Sequence, residues 1–168
     1  MGQDFDIVKA GHIEFLVTDL QEAKRFYAET LGFVVTEEDR THIYLRGLED
    51  RHHHCLTLTE SGAPGVGHFA FRVASEAGLK ALEGLVKSKG GQTRWVDAGE
   101  EKGQGRALIT EDPFGFPVEF YTKMADEEWM LQKFQNYKGA KVMRLDHFNV
   151  MLPDAAAAYD WYVKELGF

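Results

Sequence analysis

Three histidines in this chain open similar apolar runs, and one glutamate lies inside another. The runs are Gly11-His12-Ile13-Glu14-Phe15-Leu16-Val17, Gly67-His68-Phe69-Ala70-Phe71-Arg72-Val73 and Asp146-His147-Phe148-Asn149-Val150-Met151-Leu152. Glu119 sits within Pro117-Val118-Glu119-Phe120-Tyr121. Neighbouring side chains alternate across a strand, so Glu119 faces away from Val118 and Phe120, and His12 away from Ile13, Phe15 and Val17. Two imidazoles and one carboxylate on rigid strands make a facial triad that leaves coordination positions open on non-haem Fe(II) or a similar divalent ion. A single histidine at a strand start is usually structural. What singles out His12, His68 and Glu119 is that the two histidines hold equivalent places in related segments.

Those segments imply an internal repeat. Seven residues after each histidine stands a helix-capping type: Asp19, Ser75 and Asp154. Asp19 with Glu22 has the spacing of a capping box, and Ala23, Phe26, Tyr27 and Leu31 follow at helical intervals. The first helix is therefore expected over residues 20–31. Phe26-Tyr27 and Leu31-Gly32-Phe33 follow Asp19 at the offsets at which Trp161-Tyr162 and Leu166-Gly167-Phe168 follow Asp154. These aromatic pairs read as core anchors of their helices. Strands are expected near 33–36, 41–46 and 54–59, completing a βαβββ module. A second module has its helix over 75–89, closed by Gly90-Gly91, and strands near 92–96, 106–110 and 117–122, the last entered through the tight turn Asp112-Pro113-Phe114-Gly115. The expected fold class is α+β, with paired βαβββ modules forming a curved mixed-sheet bowl.

Two complete modules are followed by residues 124–141, which read as a helical linker carrying Trp129, Met130 and Phe134, and by a third module that opens at Val142 and supplies only its first strand and helix. That third, partial module cannot cover its own apolar face, which favours association or disorder, and a homo-oligomer is expected.

The length of 168 residues suits one ordinary domain with a remnant. With 19 Lys plus Arg against 27 Asp plus Glu, and no basic block, binding to nucleic acid or to an anionic membrane is disfavoured. No apolar run approaches the roughly 20 residues of a spanning helix, and MGQDFDIVKAGH lacks the order of a signal peptide. The single cysteine, Cys55, forms no internal disulfide and fits the cytoplasm.

Weaker motifs remain. In His52-His53-His54-Cys55 strand alternation would let at most His52 and His54 share an ion, and a solvated strand start is the simpler reading. Cys55 stands about where Glu119 stands in the second module, and a small buried thiol is preferred to a fourth ligand. The loop over 99–105 joins two strands and opens no helix, which argues against a phosphate cradle.

The repeat, the strand-initial histidines and the Asp-Pro-Phe-Gly turn before a Glu-bearing strand resemble the vicinal oxygen chelate superfamily. Leu16-Val17-Thr18-Asp19-Leu20, Arg25-Phe26-Tyr27, Thr36-Glu37-Glu38-Asp39, Ile43-Tyr44-Leu45-Arg46, Asp112-Pro113-Phe114-Gly115-Phe116-Pro117 and Arg144-Leu145-Asp146-His147-Phe148-Asn149 more closely resemble homoprotocatechuate 2,3-dioxygenases, which are extradiol ring-cleaving enzymes. The resemblance runs from about His12 to Phe168. It implies that the chain is the amino-terminal half of an enzyme cleaving a catechol-type aromatic acid with O2 at Fe(II) or Mn(II). It further implies that His147 is a metal ligand of the second, catalytic domain and that Asn149 lies beside that metal pocket. The remaining catalytic groups would follow Phe168. His12, His68 and Glu119 are then the duplicated ligand set of the first domain. Two other readings stay open: a single-domain metalloenzyme of isomerase or lyase type using those three residues, and a non-catalytic binding module.

Overall fold

The computed structural model describes residues 4–168. Among the described residues eight strands occur, in two groups of mixed parallel and antiparallel pairing, and the α+β class and the βαβββ order are borne out. The chain divides into two compact units.

One unit comprises Gly11–His68 and Met124–Asp146. Strand β1 (Ile7–Val17), helix α1 (Leu20–Lys24), and strands β2 (Val34–Glu38), β3 (His42–Arg46) and β4 (Leu56–Glu60) appear in that order. Asp19 caps α1 by accepting from the Glu22 amide at 2.8 Å. The expected single helix is α-helical only to Lys24 and continues as a π-helix over Arg25–Leu31. Gly32, at φ +85°, ends it, and a Cβ there would stand 2.1 Å from the Lys138 carbonyl oxygen. Strand order is β2-β3-β4-β1, with β1 parallel to β4 in the register Ile13↔Leu56, Phe15↔Leu58. That register puts the aliphatic stripe Ile13, Phe15 and Val17 against Leu20, Ala28, Ile43, Leu45, Leu56 and Leu58, which form the core. Tyr27 packs against Phe15 and Phe33, whereas Phe26 is 50% exposed, so only the tyrosine of the expected pair is an anchor.

Residues 124–141, expected as a helical linker, are not a helix. Their one helical stretch is a 3-10 turn at Phe134–Asn136, because the backbone bonds outward to its own unit instead of to itself. The Ala125 carbonyl accepts from the His53 amide, the Val142 and Met143 carbonyls from Leu48 and Glu49, and the Ala140 amide donates to Thr30. Arg46, 4% exposed, donates to Thr36 Oγ1 and to the Asp50 and Glu128 carbonyls.

The other unit comprises residues 4–10, Phe69–Lys123 and His147–Phe168. It contains most of β5 (Gly65–Val73), helix α2 (Glu76–Ser88), and strands β6 (Thr93–Val96), β7 (Ala107–Glu111) and β8 (Pro117–Tyr121), in the order β5-β8-β7-β6. Ser75 caps α2 by accepting from the Gly78 amide at 3.1 Å. Leu79, Leu82 and Val86 of α2 are buried, as are Phe69, Phe71, Leu108, Val118 and Phe120 of the strands. Asp112 shapes the turn before β8, its Oδ1 accepting from the Phe114 and Phe116 amides.

The first element expected of the third module is absent: residues 146–152 form no strand, having no ladder partner among the described residues. Helix α3 (Ala155–Tyr159) is present, capped by Asp154, and again continues as a π-helix over Asp160–Glu165. The segment packs through aromatic rings, Phe148 on Phe69 and Phe71 and Phe168 on Phe71, while Tyr162 donates a hydrogen bond to Asp112 Oδ2.

Candidate metal centre

His12, from β1, and His68, from β5, are buried at 0% and 8% exposure on the face opposite the aliphatic stripe. Their Nε2 atoms face one another at 2.9 Å. Two imidazoles in that arrangement hold a single proton between them or turn both lone pairs toward one cation, so the donor set fits a divalent metal of the borderline class. On its far side His68 Nδ1 lies 3.1 Å from Glu14 Oε2, and Glu14 Oε1 accepts from Thr59 Oγ1 at 2.6 Å.

The histidine array is longer than the spacing suggested. His54, 1% exposed, sets its ring edge-on to His12 with centroids 4.7 Å apart. His53 Nδ1 lies 3.0 Å from His54 Nδ1, and His53 Nε2 lies 3.2 Å from Glu37 Oε2. Burial holds the His53 imidazolium pKa below its ordinary value, the His54 ring adds to this, and Glu37 opposes it. Strand β4 begins at Leu56, not at His54, so residues 52–55 escape strand alternation and neighbours 53 and 54 can meet. His52 instead bridges to Asp126. Cys55 is a buried thiol, as expected.

In the other unit Glu119 is 1% exposed, placed in β8 opposite Ile109 of β7 and Ala70 of β5. Its Oε1 accepts from Gln104 Nε2 at 2.7 Å, and the same nitrogen lies 3.4 Å from Glu101 Oε2. Glu101 and Glu119 each offer a carboxylate oxygen within 4.8 Å of the other. Glu101 and Gln104 were not legible as site residues. They sit on the loop between β6 and β7, where nothing in the spacing of residue types marks a metal site. Paired carboxylates are hard donors suited to a divalent cation.

His147 and Asn149 are exposed on the irregular stretch before α3. Among the described residues His147 belongs to no cluster of three or more metal-ligating side chains.

The model of the Glyoxalase/Bleomycin resistance protein/Dioxygenase superfamily matches residues 9–120. The chain belongs to this superfamily. Among its members with assigned names, the manganese-dependent 2,3-dihydroxybiphenyl 1,2-dioxygenase of Geobacillus genomosp. 3 is 30% identical over 171 residues, covering 97% of this chain and 54% of that protein. The metapyrocatechase of Geobacillus stearothermophilus is 30% identical, covering 98% and 52%. A solved structure of homoprotocatechuate 2,3-dioxygenase from Arthrobacter globiformis superposes with a TM-score of 0.92 at 40% identity, covering 97% of this chain and 50% of that one. An extradiol ring-cleaving dioxygenase from B. fuscum gives 0.93 at 36% identity, covering 98% and 46%. The chain thus spans about half the length of these superfamily relatives. The resemblance read from the histidine-led strands and the Asp-Pro turn is borne out.

Proposed function

We propose that this chain is the amino-terminal part of an extradiol dioxygenase that opens a catechol-type aromatic acid, homoprotocatechuate foremost, beside its two hydroxyls with O2. The observation that supports this most is the alignment of nearly all of the chain with about half of relatives named for that chemistry, at up to 40% identity with a homoprotocatechuate 2,3-dioxygenase. On this reading residues 1–123 form the first domain, 124–141 a connecting segment and 142–168 the opening of the catalytic domain. His147 is a neutral-imidazole ligand there, and Asn149, two residues on, stands beside the substrate pocket. A bound Fe(II) or Mn(II) supplies Lewis acidity and electron relay between the ring and O2. The protein's own task is to hold the imidazoles neutral and oriented, and to leave the open positions to catechol and O2.

The first domain carries its own ligand set in His12, His68 and Glu119. Three observations favour it: the equivalent repeat positions of the histidines, their facing Nε2 atoms, and the buried carboxylate of Glu119 beside Gln104. This also keeps the single-domain metalloenzyme in view as the second reading. No helix among the described residues is long and apolar enough to cross a membrane. On this reading the whole protein works in the cytoplasm as a homo-oligomer, the exposed Met151 and Phe168 offering apolar surface for association.

Catechol-dependent O2 uptake by the longest natural form of the chain tests the activity. Uptake with homoprotocatechuate in the presence of Fe(II) or Mn(II), with formation of a ring-opened product, is expected. Its absence with both metals and several catechols defeats the proposal.

A further inference from the structure

We propose that Glu14 is a positioning residue for a metal at His12 and His68, fixing the His68 tautomer so that its Nε2 lone pair faces the ion. This rests on the reading of His12 and His68 as ligands. All four side chains involved belong to one unit. Glu14 Oε1 accepts from Thr59 Oγ1 at 2.6 Å, which anchors the carboxylate, and Oε2 lies 3.1 Å from His68 Nδ1. A carboxylate only accepts, so the Nδ1 of His68 carries the proton in this contact. The neutral ring then presents an unprotonated Nε2, and that atom lies 2.9 Å from His12 Nε2. An outer carboxylate that orients a ligating imidazole also raises its basicity.

Gly67 supplies an independent observation. A Cβ at this position would stand 1.9 Å from Glu14 Oε2 and 2.5 Å from Glu14 Cδ, so the carboxylate occupies the space a side chain before His68 would take. Gly67 has no positive φ, and its lack of a side chain is what lets Glu14 reach the ring. The repeat adds a third. Glu14 stands two residues after His12, the place held by Ala70 after His68 and by Asn149 after His147. Of the three, it alone is a carboxylate, and it serves the histidine of the other module instead of its own.

The test uses the 168-residue chain and Mn(II), with affinity read from the electron spin resonance of free Mn(II). The His68 tautomer of the metal-free protein is read from long-range 1H–15N correlations. Wild type is expected to bind Mn(II) and to show His68 protonated at Nδ1. Glu14→Ala should weaken binding about 10–100-fold, the usual effect of losing an outer-shell partner, and release the tautomer. Glu14→Gln keeps an accepting oxygen and should restore both readouts in large part. Gly67→Ala, which displaces the carboxylate without deleting it, should reproduce Glu14→Ala. Full affinity and an unchanged tautomer in Glu14→Ala and Gly67→Ala overturn the positioning role while leaving the ligand reading intact. Unchanged binding in His12→Ala and His68→Ala overturns the ligand reading, and the positioning role with it.

Discussion

The run that opens at His12 and the run that opens at His147 are close in sequence and opposite in structure. The first lies in β1, laddered to β4, with its histidine buried. The second forms no strand among the described residues, its histidine is exposed, and its Phe148 packs on Phe69 and Phe71. Alternating apolar residues therefore confer the capacity for a strand, and a partner's amides and carbonyls decide whether it forms. Helix α3 differs in this respect. Its backbone bonds close within the segment, so Asp154 and four alanines form it without waiting for a neighbour.

Amide exchange should show this contrast most strongly. The Ile13 amide, bonded to the Cys55 carbonyl, should be protected at least about a thousandfold more than the amides of 148–152, since core ladders open only near the global unfolding free energy. Comparable exchange rates by NMR would break the distinction. Next in size is Leu58→Ala, at a fully buried position opposite Phe15, which should cost about 2–5 kcal/mol in chemical denaturation. The smallest effect is expected in the second region. Tyr162→Phe removes the bond to Asp112 and should cost about 1 kcal/mol. Burial, aided by Asp112, raises the Tyr162 pKa above its ordinary value of 10.0. Above about pH 10 the unfolded chain sheds this proton while the folded chain keeps it, so stability falls with rising pH. Tyr162→Phe should flatten that alkaline decline, as measured by denaturation midpoints from pH 9 to 11.

Much of the scaffold was legible because its determinants are local. Asp19, Ser75 and Asp154 cap their helices as their types require, and Gly32 stops the first one. The stripe of Ile13, Phe15 and Val17 points at the core. The linker reads as a helix because apolar spacing around Trp129 and Phe134 resembles a helical face, whereas carbonyls of Ala125, Val142 and Met143 are taken by amides of His53, Leu48 and Glu49. Distance in sequence also hid part of the site. Nothing near His53 announces Glu37, nothing near Glu119 announces Gln104, and Glu14 reads as the solvent-side residue of an amphipathic strand until Gly67 is seen to make room for it.

Arg46 adds a kinetic consequence. A guanidinium cannot lose its charge at ordinary pH, and this one is satisfied partly by the Glu128 carbonyl. Peeling residues 124–146 away would break its bond to the Glu128 carbonyl, so local detachment carries a cost beyond the backbone bonds it breaks. Proteases that act on transient opening should therefore find this stretch, irregular as it is, nearly as slow to cut as the strands it covers.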